Sequence, residues 1–351
     1  MKGPIFVTGL RKSGTTLVKC LLDSHPEIFM FPAAEFEFFH NTEHDSVLAA
    51  KYELSGDIHH IRDRLCENSF ITRLNDKTKQ TNDYCETIDV ENFKKELKAQ
   101  ELTGMGDLFS KTIEAMAKSC SYFKGNLDTT YMGAKCVLNS EYFSELHKWY
   151  PDLKMIYVLR NPYGHFDAIR SSMRKGVKAE GQKLSDRKNS YPILGIEIRR
   201  MMMSYYFMKK WSKLYPDNFH VIVYDQLLQN PQEEMQKVSK FLGVPYNSSM
   251  LVPTIGEQLW GGNSWKVEDF KGIDIRPLTH WKDTISDLEI RLVNEYFGDV
   301  LEEFGFDKVD SNAPLIKRNH PSERLKAYLA NRFLFKAKSW FCEIPDAHFK
   351  G

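Results

Sequence analysis

The stretch PIFVTGLRKSGTTLVKCLLD, residues 4–23, decides the fold of this 351-residue chain. Residues 5–7 form a short apolar run, which is typical of a buried strand. Gly9 and Gly14 let the backbone turn tightly and approach an anion closely. Apolar residues then recur at helical spacing over 15–22, which predicts a helix whose free N–H groups face the turn. The stretch therefore predicts a strand, a phosphate-binding loop and a helix.

The loop departs from the usual P-loop at one position. In the pattern G-x-x-x-x-G-K-[ST], the lysine reaches the β/γ-phosphates of a nucleotide and the hydroxyl holds Mg²⁺. Here the two glycines have that spacing, but Thr15 stands at the lysine position and Lys12 lies three residues earlier. We interpret the shifted lysine as a sign of a changed phosphate donor. The alternative is an ordinary strand–helix turn without a ligand.

Composition limits the class of protein. The chain is 42% hydrophobic and has 48 basic and 47 acidic residues, which gives no overall attraction to nucleic acid or membrane. The six cysteines include no C-x-x-C pair, which argues against a zinc site. No apolar run approaches the ~20 residues of a membrane span. The early first strand leaves no room for a secretory signal, so we expect a cytoplasmic protein, with a trimmed lumenal domain as the alternative.

Strands alternate with helices along much of the chain. The predicted strands after the first are 133–137, 153–159 and 219–223. The clearest helices are 90–102, 140–149, 196–214, 231–242 and 285–304. This alternation predicts an α/β fold of the P-loop type, with three layers and a mostly parallel central sheet. We expect a single domain over 1–351, with a core at 4–40 and 130–305. A largely helical insertion would occupy about 41–130 and a helical extension about 306–351.

Candidate functional residues follow the predicted strands, where ligands of such sheets bind. Besides the first loop they are Lys135, Arg160 and the pair Tyr224-Asp225. Arg160 directly follows a buried strand, where a cation is costly unless it meets an anion, and arginine can grip phosphate bidentately. A structural ion pair is the alternative for Arg160. Asp225 resembles the Mg²⁺-binding aspartate of nucleotide hydrolases, but we expect it to cap the following turn.

The ordered set of motifs resembles sulfotransferases that use 3′-phosphoadenosine-5′-phosphosulfate (PAPS). GLRKSGTT at 9–16 with LDSHP at 22–26 is similar to their 5′-phosphosulfate loop, and VLRNP at 158–162 is similar to their 3′-phosphate motif. Further similar segments are GAK at 133–135, VYDQL at 223–227 and GNS at 262–264 ahead of Trp281. The resemblance favours the branch of tyrosylprotein and bacterial-type enzymes.

The resemblance implies roles for these residues. Lys12 would stabilise charge on the departing 5′-phosphate without a metal ion, and Lys135 and Ser264 would lie beside the transferring sulfuryl group. PAPS, the donor co-substrate, would contact Arg11, Lys12, Ser13, Gly14, Thr15, Thr16, Arg160, Tyr224, Asn263 and Ser264. The family usually has a second 3′-phosphate ligand, a serine, at the position of Ala168. We expect Ser172, or else Arg170, to replace it, unless both are surface residues.

The acceptor hydroxyl must lose a proton during transfer, so a general base is expected. FPAAEFEFF at 31–39 resembles the family segment P-x-E-x-x-F-F, and Glu35 falls on the base position of the tyrosylprotein branch. Glu37 is an alternative because a short alignment can slip. His40 and His44 stay open as candidates for the base, because other branches of the family use histidine.

We therefore predict metal-independent sulfuryl transfer from PAPS to a hydroxyl, with a small molecule or saccharide as the preferred acceptor and no nucleic acid partner. A P-loop kinase, the first alternative, would need Mg²⁺ and the missing lysine. The second alternative is a non-catalytic nucleotide-binding module, which would keep the loops and lose the base. The presence of both Glu35 and Lys135 counts against it.

Overall fold

The structure is a computed structural model. It describes residues 2–32, 35–36, 57–67, 88–125, 127, 130–137, 139–169, 190–262 and 272–312.

A five-stranded parallel sheet forms the centre of the fold. Its strands are β1 (Lys2–Gly9), β2 (Ile28–Met30), β3 (Tyr131–Lys135), β4 (Lys154–Leu159) and β5 (Phe219–Val223). They lie in the order β2-β3-β1-β4-β5, and every neighbouring pair is parallel. The strands are apolar on both sides, as a sheet covered on both faces requires. The predicted α/β class with a parallel sheet is confirmed.

Ten helices are described, with an antiparallel pair of short strands. The helices are α1 (Thr15–Asp23), α2 (Ile58–Glu67), α3 (Val90–Lys98), α4 (Met105–Lys118), α5 (Phe143–Trp149), α6 (described over 162–169), α7 (Ser190–Leu214), α8 (Tyr224–Gln229), α9 (Pro231–Leu242) and α10 (Asp287–Glu303). The short strands are β6 (Thr254–Ile255) and β7 (Gln258–Leu259).

Alternate residues of the central strands point to opposite apolar clusters. In β1, Ile5 and Val7 belong to the cluster formed with α1, α8 and α9, whereas Phe6 belongs to the cluster formed with the other helices. In β4, Ile156 and Tyr157 divide in the same way. The fold therefore has the three predicted layers. The described parts of 41–130 are mainly helical and pack on the Phe6 side, and their assignment as an insertion stays a prediction.

Some boundaries differ from those predicted. β3 ends at Lys135 rather than at residue 137, because its pairing with β1 ends at Val7. The helix predicted from residue 140 begins as the 3₁₀ turn Asn139–Tyr142 before α5. Helix α8 was not predicted, since only six residues separate β5 from the Asn230-Pro231 start of α9.

No helix in the described ranges combines the length and the apolar character that crossing a membrane requires.

Candidate functional site

The loop between β1 and α1 has the conformation of an anion cradle. Gly9, Lys12 and Gly14 all have positive φ angles, of 144°, 66° and 104°. Gly14 is the N-cap of α1, where no side chain caps the helix and the first turn has no acidic residue. Backbone N–H groups at such a helix start attract an anion, assisted by the helix dipole. The predicted phosphate cradle therefore has suitable local geometry.

A buried hydroxyl inside the cradle supports the fit of a phosphate-containing group. Ser13 is 1% exposed, and in the described part of the chain its Oγ has no hydrogen-bond partner. Most buried polar groups in folded proteins have a hydrogen-bond partner, and a ligand oxygen in the cradle would supply one to this hydroxyl. Thr15 and Thr16 are buried in the first turn of α1, while Arg11 and Lys12 are exposed on the loop. These loop residues fit the 5′-phosphosulfate portion of the donor that the family resemblance implies.

Tyr224 and Arg160 both contact this loop. A Cβ on Gly14 would overlap the Tyr224 ring, so the ring lies directly against the glycine. The guanidinium carbon of Arg160 lies 5.3 Å from the centre of the same ring, and Arg160 Nη1 donates to Lys12 O at 3.0 Å. Arg160 has no ion pair with a described residue, and a structural ion pair stays the alternative for it. Two side chains predicted to contact the donor therefore meet at the loop.

The Asp225 carboxyl supports the Arg160 turn, and it also accepts a hydrogen bond from its own backbone N–H in the first turn of α8. Its Oδ2 accepts a hydrogen bond from the Asn161 N–H at 3.0 Å, and Asn161 Oδ1 accepts from the Tyr163 N–H at 3.0 Å. Burial raises the pKa of the Asp225 carboxyl, although the Asn161 amide and Arg160 oppose the rise. The amide of Asn161 is already bonded, whereas the Arg160 guanidinium has further donors besides Nη1, so among the described groups of this turn it is the one suited to meet an anion.

The start of α6 lies against an indole ring. A Cβ on Gly164 would lie 3.2 Å from Trp281 Cδ1 and 3.4 Å from Arg160 Nε, so the glycine lets both side chains approach the helix. Trp281 also stacks on Tyr163, with ring centroids 5.1 Å apart. The neighbouring His165 is 1% exposed, and burial, with a smaller contribution from Arg160, lowers its pKa to about 3. The imidazole is therefore neutral at physiological pH.

Glu35 and Lys135 form an ion pair at the carboxyl end of β3. Lys135 Nζ donates to Glu35 Oε1 at 2.7 Å, and the side chains are 4% and 22% exposed. Glu35 Oε2 is enclosed and has no hydrogen-bond partner among the described residues. The backbone strengthens the contact, because the Phe36 N–H donates to Lys135 O at 2.8 Å. The structure thus brings together the two groups that the sequence assigned to proton removal and to the sulfuryl group.

One residue that contacts the segment carrying Glu35 was not predicted from the sequence. Lys19, in α1, is 0% exposed, and its Nζ donates to Pro32 O at 2.7 Å. The signal was present in the sequence, since Lys19 follows Thr15 by one helical turn on a helix that is otherwise mostly apolar.

Several predicted residues lie outside the described part of the chain. They are Ser172, Asn263 and Ser264, with the alternatives Glu37, His40, His44 and Arg170. Ala168 lies in α6 and is half-buried. Within the described ranges, no group of three or more His, Cys, Asp and Glu side chains is placed to hold a metal ion.

Comparison with known proteins identifies a family. The model described as "Sulfotransferase family" matches residues 4–248. A putative protein-tyrosine sulfotransferase of Caenorhabditis briggsae is 25% identical over 170 residues, which are 47% of this chain and 57% of that protein. Its Caenorhabditis elegans counterpart is 23% identical over 154 residues, 43% of this chain and 56% of that protein. The matched part therefore spans a little over half the length of these relatives.

Two solved structures share the fold. The sulfotransferase domain of the curacin biosynthetic pathway has a TM-score of 0.52 at 18% identity, over 84% of this chain and 97% of that domain. The sulfotransferase domain of the Synechococcus PCC 7002 olefin synthase has a TM-score of 0.51 at 18% identity, over 88% of this chain and 97% of that domain. At such identities the similarity concerns the fold alone.

Proposed function

The chain belongs to the sulfotransferase family, and we propose that it transfers a sulfuryl group from PAPS to the hydroxyl of an acceptor. The observation that carries this proposal is the 2.7 Å contact between Glu35 and Lys135. Lys135 ends β3, and β3 pairs with β1, whose end leads into the anion cradle. A carboxylate and a cation therefore lie on the same sheet edge as the cradle.

The donor would lie along the sheet edge from the cradle to Arg160. Residues 13–16 and the first amides of α1 would hold the 5′-phosphosulfate, with Asn263 and Ser264 completing the site. Arg160 would hold the 3′-phosphate, assisted by Ser172 or Arg170. Tyr224 would contact the nucleotide with the part of its ring that does not face Gly14. PAPS supplies the sulfuryl group and a stable leaving group, so metal ions have no role in this proposal.

Glu35 would act as the general base through Oε2. Its Oε1 is held by Lys135, while Oε2 is the atom without a partner among the described residues. As the acceptor oxygen forms its bond to sulfur, its proton passes to Glu35 and the bond between sulfur and the 5′-phosphate oxygen breaks. Lys12, Lys135 and Ser264 would stabilise the negative charge that moves to the phosphate.

The acceptor remains a proposal of its own. A small molecule or saccharide is the acceptor class preferred on the sequence. The names of the two worm relatives favour a tyrosine hydroxyl instead, so a tyrosine-containing peptide is the alternative acceptor to assay. We propose that the whole activity resides in one domain with its core at 4–40 and 130–305.

One experiment separates this proposal from the kinase and the binding-module alternatives. Thermal unfolding is followed with adenosine 3′,5′-bisphosphate and with ATP, each with and without Mg²⁺, because a ligand that binds the native state raises the melting temperature. Metal-independent stabilisation by the bisphosphate is expected. A preference for ATP with Mg²⁺ would indicate a kinase. Bisphosphate binding without transfer to any tested acceptor class would favour the binding module.

A further inference from the structure

Lys19 is a buried cation in the helix that starts at the anion cradle. It lies one turn after Thr15, is 0% exposed, and donates from Nζ to Pro32 O at 2.7 Å. Burying an ammonium group is costly, and an apolar side chain of similar volume often stabilises a protein as well or better. Its neighbours Leu17, Val18 and Cys20 are buried and apolar. Fold stability alone is therefore a poor reason for a lysine at this position.

Pro32 belongs to the segment that carries Glu35. The segment leaves β2 at Phe31, whose N–H donates to Gly133 O at 2.7 Å, and it returns at Phe36, whose N–H donates to Lys135 O at 2.8 Å. The Phe31 and Phe36 rings stack with centroids 4.4 Å apart. Proline has no N–H, so the carbonyl is the backbone hydrogen-bonding group that Pro32 itself offers. Lys19 binds that carbonyl.

We propose that Lys19 is a positioning residue for Glu35: it holds segment 31–36 to α1 and so fixes the base relative to the donor cradle. The inference rests on the proposed function, because it takes Glu35 as the base. Helix α1 then has two tasks, since its first turn faces the donor and its second turn holds the base segment. Lys135 holds the same segment from β3, through Glu35 Oε1 and the Phe36 N–H. Reaction rates are sensitive to displacements of about 1 Å in such groups.

A competing role for Lys19 involves Asp23, one turn further along α1. The Lys19 charge lowers the pKa of the Asp23 carboxyl, although burial raises it overall to about 6. Asp23 Oδ2 also accepts from Thr254 Oγ1 and from the Gly256 N–H, at 3.0 Å and 2.9 Å. If Lys19 served only to neutralise Asp23, replacing Asp23 with asparagine would remove the need for it.

Hydrogen exchange tests the holding role without any assay of activity. Lys19→Met removes the donor and keeps an apolar stem, and we expect faster amide exchange in the peptide that contains 31–36, with β4 unchanged. Lys19→Arg, which keeps a donor, should exchange like the wild type, and Lys213→Met at an exposed lysine is the matched control. If Lys19→Met does not fold, Lys19→Gln replaces it. Unchanged exchange over 31–36 in a folded variant would overturn the proposal.

A double-mutant cycle tests whether Lys19 acts through Glu35. Lys19→Met should lower kcat by about 10- to 100-fold, while the Kd of adenosine 3′,5′-bisphosphate changes by less than about threefold. In a Glu35→Gln background the same change should cost little further activity, because the base is already absent. If the double variant shows the product of the two single losses in kcat, the proposal is overturned. Restoration of the Lys19→Met activity by Asp23→Asn would overturn it as well. A wild type that neither binds the bisphosphate nor transfers sulfate refutes the proposed function instead, and hydrogen exchange then decides the holding role alone.

Discussion

The guanidinium of Arg160 donates a hydrogen bond to the backbone carbonyl of Lys12 at 3.0 Å, which connects the end of β4 to the β1–α1 loop. Lys12 has a φ of 66°, a conformation that residues other than glycine rarely adopt. A bond to its carbonyl helps to hold that conformation, which directs the amides of the following residues. The proposed 3′-phosphate ligand therefore also supports the loop proposed to hold the 5′-phosphosulfate.

Arg160→Lys should separate these two roles. Lysine keeps the charge but loses the planar group that binds phosphate bidentately, so binding of adenosine 3′,5′-bisphosphate should weaken by about tenfold or more. Binding of 5′-AMP, which lacks the 3′-phosphate, should weaken much less. Calorimetric titration of both ligands gives the ratio. Equal losses would mean that Arg160 acts only through the Lys12 carbonyl.

Lys12 is expected to serve transfer more than binding. Lys12→Gly removes the ammonium group and suits the positive φ, whereas Lys12→Ala removes the same group and leaves a Cβ in a strained conformation. Both variants should lower kcat by about 100-fold, and Lys12→Gly should bind the bisphosphate almost as tightly as the wild type. Initial rates and calorimetry check this. Should Lys12→Gly lose binding and kcat equally, Lys12 is a binding residue only.

Glu35→Gln should abolish proton removal without disturbing the site. The amide oxygen of glutamine can still accept the hydrogen bond from Lys135, so donor binding should be nearly unchanged. The melting temperature should fall, because the buried Lys135 ammonium loses its counter-charge. The kcat should fall by about 100-fold or more. Glu37→Gln is the matched control, since Glu37 is the other carboxylate of the segment. A larger loss in Glu37→Gln would move the base to that residue.

The sequence predicted the parts of the fold and site that depend on local patterns. The apolar run before Gly9 predicted β1, the spacing of Gly9 and Gly14 predicted the loop, and the helical spacing after Gly14 predicted α1. Each of these patterns lies within a short stretch of the chain. The family resemblance predicted Glu35 and Lys135, and the structure places them in contact. Lys19 was missed because its partner, Pro32 O, is a backbone atom on another element, which no local pattern reveals. The same holds for the contact of Asp225 with Asn161.

Gly14 should tolerate no side chain while Tyr224 is present. In Gly14→Ala the new Cβ would overlap the Tyr224 ring at a φ of 104°, so the unfolding free energy should fall by about 2 kcal/mol or more. Gly298→Ala is the control, because a Cβ in α10 would meet nothing within 4 Å and alanine favours helix. Urea unfolding measures both. In a Tyr224→Ala background, Gly14→Ala should cost less, and an undiminished cost would assign the effect to backbone strain alone.

The stability of the protein should depend on the protonation of Asp23. Burial raises the pKa of this carboxyl from 3.8 to about 6, even though Lys19 and the hydrogen bonds from Thr254 and Gly256 oppose the rise. The folded state therefore binds the proton more tightly than the unfolded state, so the unfolding free energy falls as pH rises through this interval. The decrease in unfolding free energy levels off once pH exceeds the pKa of Asp23 in the folded state.

Asp23→Asn removes this dependence, because the amide stays neutral and its oxygen can accept the same two hydrogen bonds. Relative to the wild type, the unfolding free energy of the variant should rise little at about pH 4 and by about 1–3 kcal/mol at about pH 7.5. Urea unfolding at both pH values measures the difference. Asp217→Asn at an exposed carboxylate should shift stability equally at both. A variant less stable than the wild type at the higher pH would show that the charged carboxylate holds β6 and α1 together, and that its attraction to Lys19 outweighs the cost of burial.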